Sequence, residues 1–141
     1  MSHSGFRAGA LSMLLVVTAM IAGCGQSGPE ILPVTGVVTL DGKPLDQARV
    51  VFVPDKGRPA VGLTDSSGQY KLQFNETKWG ALSGPHKVQI TTERQASGGE
   101  GGEPLIPAQK ELLPKKYNES TELQANVAPD KVKFDFDLTS K

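Results

Sequence analysis

Beyond residue 33 the apolar positions recur every second residue, the period of a strand whose successive side chains point to opposite faces. In VTGVVTL, Val34, Gly36, Val38 and Leu40 share one face. The next run, QARVVFVP, sets Ala48, Val50 and Phe52 against Arg49, Val51 and Val53. Ala60 to Thr64 predicts a short strand, and QYKLQF places Tyr70, Leu72 and Phe74 inward with Lys71 and Gln73 outward. In HKVQITT, Val88 and Ile90 point inward. TELQANV collects Leu123, Ala125 and Val127 on one face, and KVKFDFDL sets Val132, Phe134, Phe136 and Leu138 opposite Lys133, Asp135 and Asp137. Turn signals separate most of these runs, notably Asp41-Gly42 and Asp65-Ser66-Ser67-Gly68. About seven short, half-polar strands punctuated in this way predict an all-β domain, an antiparallel β-sandwich with one wet face on each sheet. At most a turn is expected around Ala108 to Leu112.

Two segments break the alternation. Between Glu93 and Leu113 the chain reads ERQASGGEGGEPLIPAQKELL, whose Gly-rich centre predicts a flexible insertion over about residues 94–112. At the start, MSHSGFR is polar and ends in Arg7, and Ala8 to Ala22 is almost wholly apolar. That run is shorter than the roughly 20 apolar residues of a comfortable transmembrane helix, and it has the form of an export signal. It ends in Ile21-Ala22-Gly23-Cys24, which resembles the lipobox of bacterial lipoproteins: an aliphatic residue, two small residues, then Cys. The resemblance implies cleavage after residue 23 and attachment of diacylglyceryl and palmitate-type chains to Cys24. Each buried methylene contributes roughly 0.8 kcal/mol, so two or three acyl chains hold a protein where one does not. Residues 24–33 then form a lipidated tether of roughly 30 Å reach, and residues 34–141 the folded domain.

Composition agrees with this division. Cys24 is the only cysteine, so no internal disulfide is possible in an exported chain and the thiol calls for another role. The full chain is formally neutral; without Arg7, fourteen basic residues face fifteen acidic ones, and no basic field exists to attract nucleic acid. The 16 Gly and 10 Pro suit short strands joined by turns.

VTGVVTLDGKPLDQARVVFVP, GLTDSSGQYKL and GALSGPHKVQI together resemble the carboxypeptidase regulatory-like domain. The closing stretch, LLPKKYNESTELQANV followed by FDFDL, is similar to small envelope lipoproteins that carry this domain alone. The resemblance covers about residues 34–138 apart from the insertion and implies a transthyretin-like, Greek-key sandwich. It implies little about function, because such sandwiches host many roles.

Catalytic equipment is not visible. The transthyretin-related hydroxyisourate hydrolases use a His and Arg constellation and a C-terminal Tyr-Arg-Gly-Ser signature, whereas this chain has one His after the leader, His86, and ends Leu138-Thr139-Ser140-Lys141. A lone His cannot build a zinc site, and His86 is read as a strand-start residue at the sandwich edge. Asp65 to Gly68 lacks the acids of a calcium loop and reads as a β-turn. The glycines of SGGEGGEP have no strand–helix context for phosphate, and the sequons at Asn75 and Asn118 read as turns. Tyr117 is expected at the sandwich edge, and Lys115 and Lys116 in solvent. Trp79, in NETKWGALSG, has two readings. It is expected to cap the core; alternatively it contacts a sugar ring or a protein partner.

The expectation is a non-enzymatic, membrane-tethered structural or protein-interaction module of the cell envelope, without metal or cofactor. It would be exported and anchored to the outer membrane, on the periplasmic side or at the cell surface. The alternative is a glycan or small-ligand binding lipoprotein using the Trp79 end of the sandwich.

Overall fold

The computed structural model describes residues 28–141. The expected export signal, the residues Ile21, Ala22 and Gly23 read as a lipobox, and Cys24, read as the lipidation site, lie outside the described residues. What is described is all β apart from one 3-10 turn: β1 Ile31–Leu32, β2 Thr35–Leu40, β3 Lys43–Pro44, β4 Arg49–Pro54, β5 Ala60–Leu63, β6 Gln69–Lys71, β7 Ala81–Leu82, β8 Gly84–Thr91, β9 Gln124–Val127 and β10 Phe136–Leu138. Each of the seven runs with period two contains one of these strands; β1, β3 and β7 are two-residue additions.

One sheet runs β5-β4-β8-β9, antiparallel throughout. β1 and β7 pair antiparallel as a small two-stranded sheet, and in the second four-stranded sheet β2 is central. It pairs antiparallel with β6 and β3 and parallel with β10, the one parallel ladder among the described strands. The β2–β3 hairpin closes on Asp41-Gly42, both with positive φ (51° and 79°), as a two-residue turn of matching twist requires. Asp137 and Asp135 strengthen the β10 side: Thr39 Oγ1 donates to Asp137 Oδ1 at 2.7 Å and the Val37 N–H to Asp135 Oδ1 at 2.9 Å.

The inward faces are those the alternation predicts. Val34, Val38, Ala48, Val50, Phe52, Leu72, Val88 and Ile90 are fully buried in one core with Phe134, Phe136 and Leu138. Phe52 is its centre, edge-on to Phe134 and Phe136 at 5.6 and 6.3 Å between ring centroids. Gly36 sits on the inward face because nothing larger fits: a Cβ there would lie 1.8 Å from the Phe134 carbonyl oxygen and 2.8 Å from the Tyr70 ring. Tyr70 exploits that closeness, donating its phenolic hydrogen to the Phe134 carbonyl at 2.6 Å.

Two expectations need revision. The helical turn forms at Lys115–Tyr117, after Pro114, and not at 108–112. Phe74 is half-buried, because the strand alternation ends one residue earlier at Gln73. The 94–112 connection carries backbone pairing: Arg94 bridges Gln109 and Ser97 bridges Ile106, with reciprocal N–H···O bonds of 2.8–3.0 Å. Glycines at 98, 99, 101 and 102, all with positive φ, reverse the chain at its tip.

Candidate functional site

The two sheets are zipped together along one side. Val61 of β5 and Gln73, just past β6, exchange N–H···O bonds of 3.0 and 2.8 Å. Backbone pairing therefore continues around the corner from β4 through β5 and β6 to β2. The side chains facing away from the core along this bend are in register. Arg49 pairs with Leu63, Thr35 with Lys71, and Lys133 with Thr35. They line an open groove of about 1180 Å³.

Trp79 forms one wall. The chain reverses after Phe74 on an Asx turn, in which Asn75 Oδ1 accepts the Thr77 and Lys78 N–H groups at 3.0 and 2.8 Å. The return leg brings Trp79 opposite Gln73 as an antiparallel pair. Such partners point to the same face of a sheet, and Gln73 faces outward, so the indole does too. Gly80 follows at φ +120°, where a Cβ would sit 2.1 Å from the Leu32 carbonyl oxygen; its absence lets β1 close against this hairpin. Trp79 is 51% exposed, which overturns its expected role as a core cap. The Lys71 ammonium stands 4.6 Å from the centre of the indole, a cation–π contact. Trp79 also borders a smaller hollow of about 440 Å³ with Pro29, Ile31 and Lys78.

The groove carries four cations, Arg49, Arg58, Lys71 and Lys133, and two acids, Asp65 and Glu76. The Asp65 carboxylate is occupied: Oδ1 accepts Ser67 Oγ–H, Ser67 N–H and Gln69 N–H at 2.7, 2.9 and 3.0 Å. Those bonds, the Ser67 hydroxyl first, hold its pKa below the ordinary carboxylate value. Lys133 pairs with Asp135 at 3.7 Å, but both side chains are at least half exposed, so the pair holds little of either charge. Tyr70 also lines the groove, yet burial first, and the Asp135 charge second, push its phenol well above the ordinary range. Cations, an indole and an exposed Leu63 suit charge pairing and stacking. Among the described residues, no group of three or more His, Cys, Asp or Glu could hold a metal ion.

His86 lies elsewhere and is not at an edge. It is the third residue of β8, a strand flanked on both sides by β4 and β9, and it is 4% exposed. Its parity matches Val88 and Ile90, so the ring enters the core and packs on Phe52 at 5.6 Å. Nδ1 bonds the Gly84 carbonyl at 2.9 Å, and Nε2 has no partner among the described residues. Burial lowers its pKa, opposed by the Gly84 bond and by Asp55.

Glu111 escaped the reading of the sequence. Its Oε1 accepts from Thr92 Oγ1 at 2.8 Å and from the N–H groups of Thr92, Leu112 and Leu113 at 3.0 Å, and Oε2 accepts from the Thr91 hydroxyl. Partial burial pushes this carboxyl up, but the bonds from Thr91, Thr92 and Leu113 together outweigh it and hold the pKa at about 2. The staple closes the base of the 94–112 ribbon from partners 19 and 20 residues away, a spacing no local pattern reveals. Tyr117 packs as expected, 8% exposed, and accepts the Thr139 N–H at 3.1 Å. Against known proteins, no family model, curated protein or solved structure matches this chain.

Proposed function

We propose that this chain is a non-enzymatic binding module of the bacterial cell envelope, held at the membrane by lipid on Cys24, with the groove beside Trp79 as its working surface. The half-exposed indole in that groove carries the reading. The indole shares the groove with exposed Leu63, and exposed apolar surface rimmed by polar residues marks sites of contact. The hollow exceeds the ~300–1,000 Å³ of ordinary small-ligand sites, which suits an extended ligand. A glycan therefore moves ahead of a flat docking face as the occupant. The proposal keeps the resemblance to the carboxypeptidase regulatory-like domain, with its transthyretin-like Greek-key connections, and an outer-membrane location.

The test uses a photo-crosslinking residue at Leu63, 56% exposed in the groove, in living cells. Capture of envelope material from Leu63, but not from exposed Asp130, supports the reading; equal capture at both sites sinks it. In parallel, Cys24→Ala should abolish the processed, detergent-partitioning form. Normal processing and membrane retention of that variant would remove the anchor from the proposal.

A second reading, docking of a protein partner through the 94–112 ribbon, draws on Leu105 and Ile106, which are 66% and 47% exposed. The same crosslinker at Leu105 separates it: a specific protein adduct there, with none at Leu63, would favour the ribbon.

A further inference from the structure

Resting on the groove reading, we infer that the ligand is an acidic polysaccharide, a chain of pyranose units bearing repeated anionic groups. The folded chain has no excess of basic residues overall, yet the groove gathers four cations against two acids. Asp65 stays ionised, its Oδ1 held by the Ser67 and Gln69 donors, and Asp135 stands 3.7 Å from Lys133 at the margin, so the lining keeps an excess of positive charge carried chiefly by Arg49, Arg58 and Lys71. The cations also come from separate elements: Arg49 from β4, Arg58 from the β4–β5 connection, Lys71 from β6 and Lys133 from the approach to β10. A positive strip therefore runs across the bend instead of clustering at one point, which matches charges repeated along a polymer.

Trp79 and Lys71 supply the second half of the argument. A pyranose has an apolar C–H face and polar edges, and an indole matches the face. With the Lys71 ammonium 4.6 Å from the indole centre, one site offers an apolar platform and a cation for the acidic group on the same ring. A single-stranded nucleic acid would call for several exposed stacking aromatics along its path, whereas of the three aromatics lining the groove Tyr70 is buried and bonded to the Phe134 carbonyl, Phe74 is half-buried, and Trp79 alone is exposed.

The experiment titrates the detergent-solubilised full chain with polygalacturonate oligomers and with neutral malto-oligomers of equal length, reading Trp79 emission and binding heat. The acidic oligomer should bind, and the neutral one should bind at least about tenfold more weakly. Raising salt from about 0.05 to about 0.5 M should weaken the acidic complex by a similar factor, because exposed charges are screened. Arg49→Glu with Arg58→Glu should abolish binding while the melting curve holds, since both side chains are exposed. Lys133→Gln provides a milder check. Equal binding of the neutral oligomer, or binding indifferent to salt and charge reversal, overturns the acidic inference and leaves the groove reading standing. A poly-glutamate peptide outcompeting the polyuronate overturns it in favour of a protein ligand. If neither oligomer nor a sulfated polysaccharide binds, the inference fails, and capture from Leu63 in cells still judges the groove separately.

Discussion

The sandwich is closed differently along its two sides. On one, the Val61–Gln73 bridge carries backbone pairing from sheet to sheet, so the peptide groups satisfy each other and the outward side chains are left free. On the other, among the described strands, β9 pairs only with β8 and β10 only with β2. There the segment around the 3-10 turn does the closing with side chains: Thr121 Oγ1 donates to the Val88 carbonyl, Asn118 Nδ2 reaches the Ile90 carbonyl at 3.5 Å, and Tyr117 engages Thr139 after β10. Polar side chains are used up on the second side and available on the first. The groove with its indole and four cations lies on the first side, where the architecture releases side chains for contact with something else.

The largest effect should come from the centre that both sides share. Phe52→Ala removes the ring that Phe134, Phe136 and His86 all touch and should cost roughly 3–5 kcal/mol, measured by urea unfolding. A loss under about 1 kcal/mol would mean that the sheets can collapse onto the cavity and that the aromatic cluster is not the common anchor.

Next is the Glu111 staple beside the side-chain-closed region. Glu111→Gln keeps the shape but loses charge-assisted acceptance from five donors, and should cost about 1.5–3 kcal/mol. The sign of the pH effect follows from the depressed pKa. The folded value near 2 lies below the ordinary 4.5, so this stability is present above about pH 4.5 and is lost as pH falls toward 2. Thermal melts of the parent and E111Q should converge over that interval; a constant gap down to pH 2 would show that the carboxylate charge contributes nothing.

His86 gives a smaller acid sensitivity at higher pH. Its folded pKa is below the ordinary 6.5, chiefly through burial, so the neutral ring favours the fold above about pH 6.5 and that contribution declines as pH drops. His86→Phe should remove the part of the pH dependence that lies just below 6.5. If the slope there survives the substitution, the groups responsible are elsewhere.

Trp79 and His86 also show how far parity was legible in the chain. The three longest strands, β2, β4 and β8, have the expected faces, because period two is easiest to read where a strand exceeds about four residues. Strands of two residues, such as β1 and β7, have no period to detect. His86 could have been placed by counting back from Val88 and Ile90, since alternate residues share a face. Trp79 needed the hairpin: Asn75 signals the turn, Gln73 was already assigned outward, and pairing then turns its partner outward as well. Hydrophobicity pointed the other way, toward a core cap. The groove itself is formed by residues from position 35 to position 133 and exists only once the sheets are joined.

The smallest expected stability change belongs to that groove, and it is the sharpest test of the contrast between the two sides. Trp79 packs no core residue out of water as Phe52 does; it is 51% exposed, and its resolved partner is the Lys71 ammonium. Trp79→Ala should therefore lower stability by about 1 kcal/mol at most, the size of one exposed cation–π contact. The parent's emission comes from this one tryptophan and should be that of a partly hydrated indole, accessible to iodide or acrylamide quenching. Lys71→Gln should shift the emission and quenching while leaving the melt nearly unchanged. Tyr117→Phe, on the opposite side, removes the hydroxyl that accepts the Thr139 N–H and should cost about 1 kcal/mol with no change in the Trp79 signal. If Trp79→Ala instead destabilises as much as a core Phe, and its emission resists quenching, then the indole is structural, the first side is closed by side chains like the second, and the groove loses its claim as a binding surface.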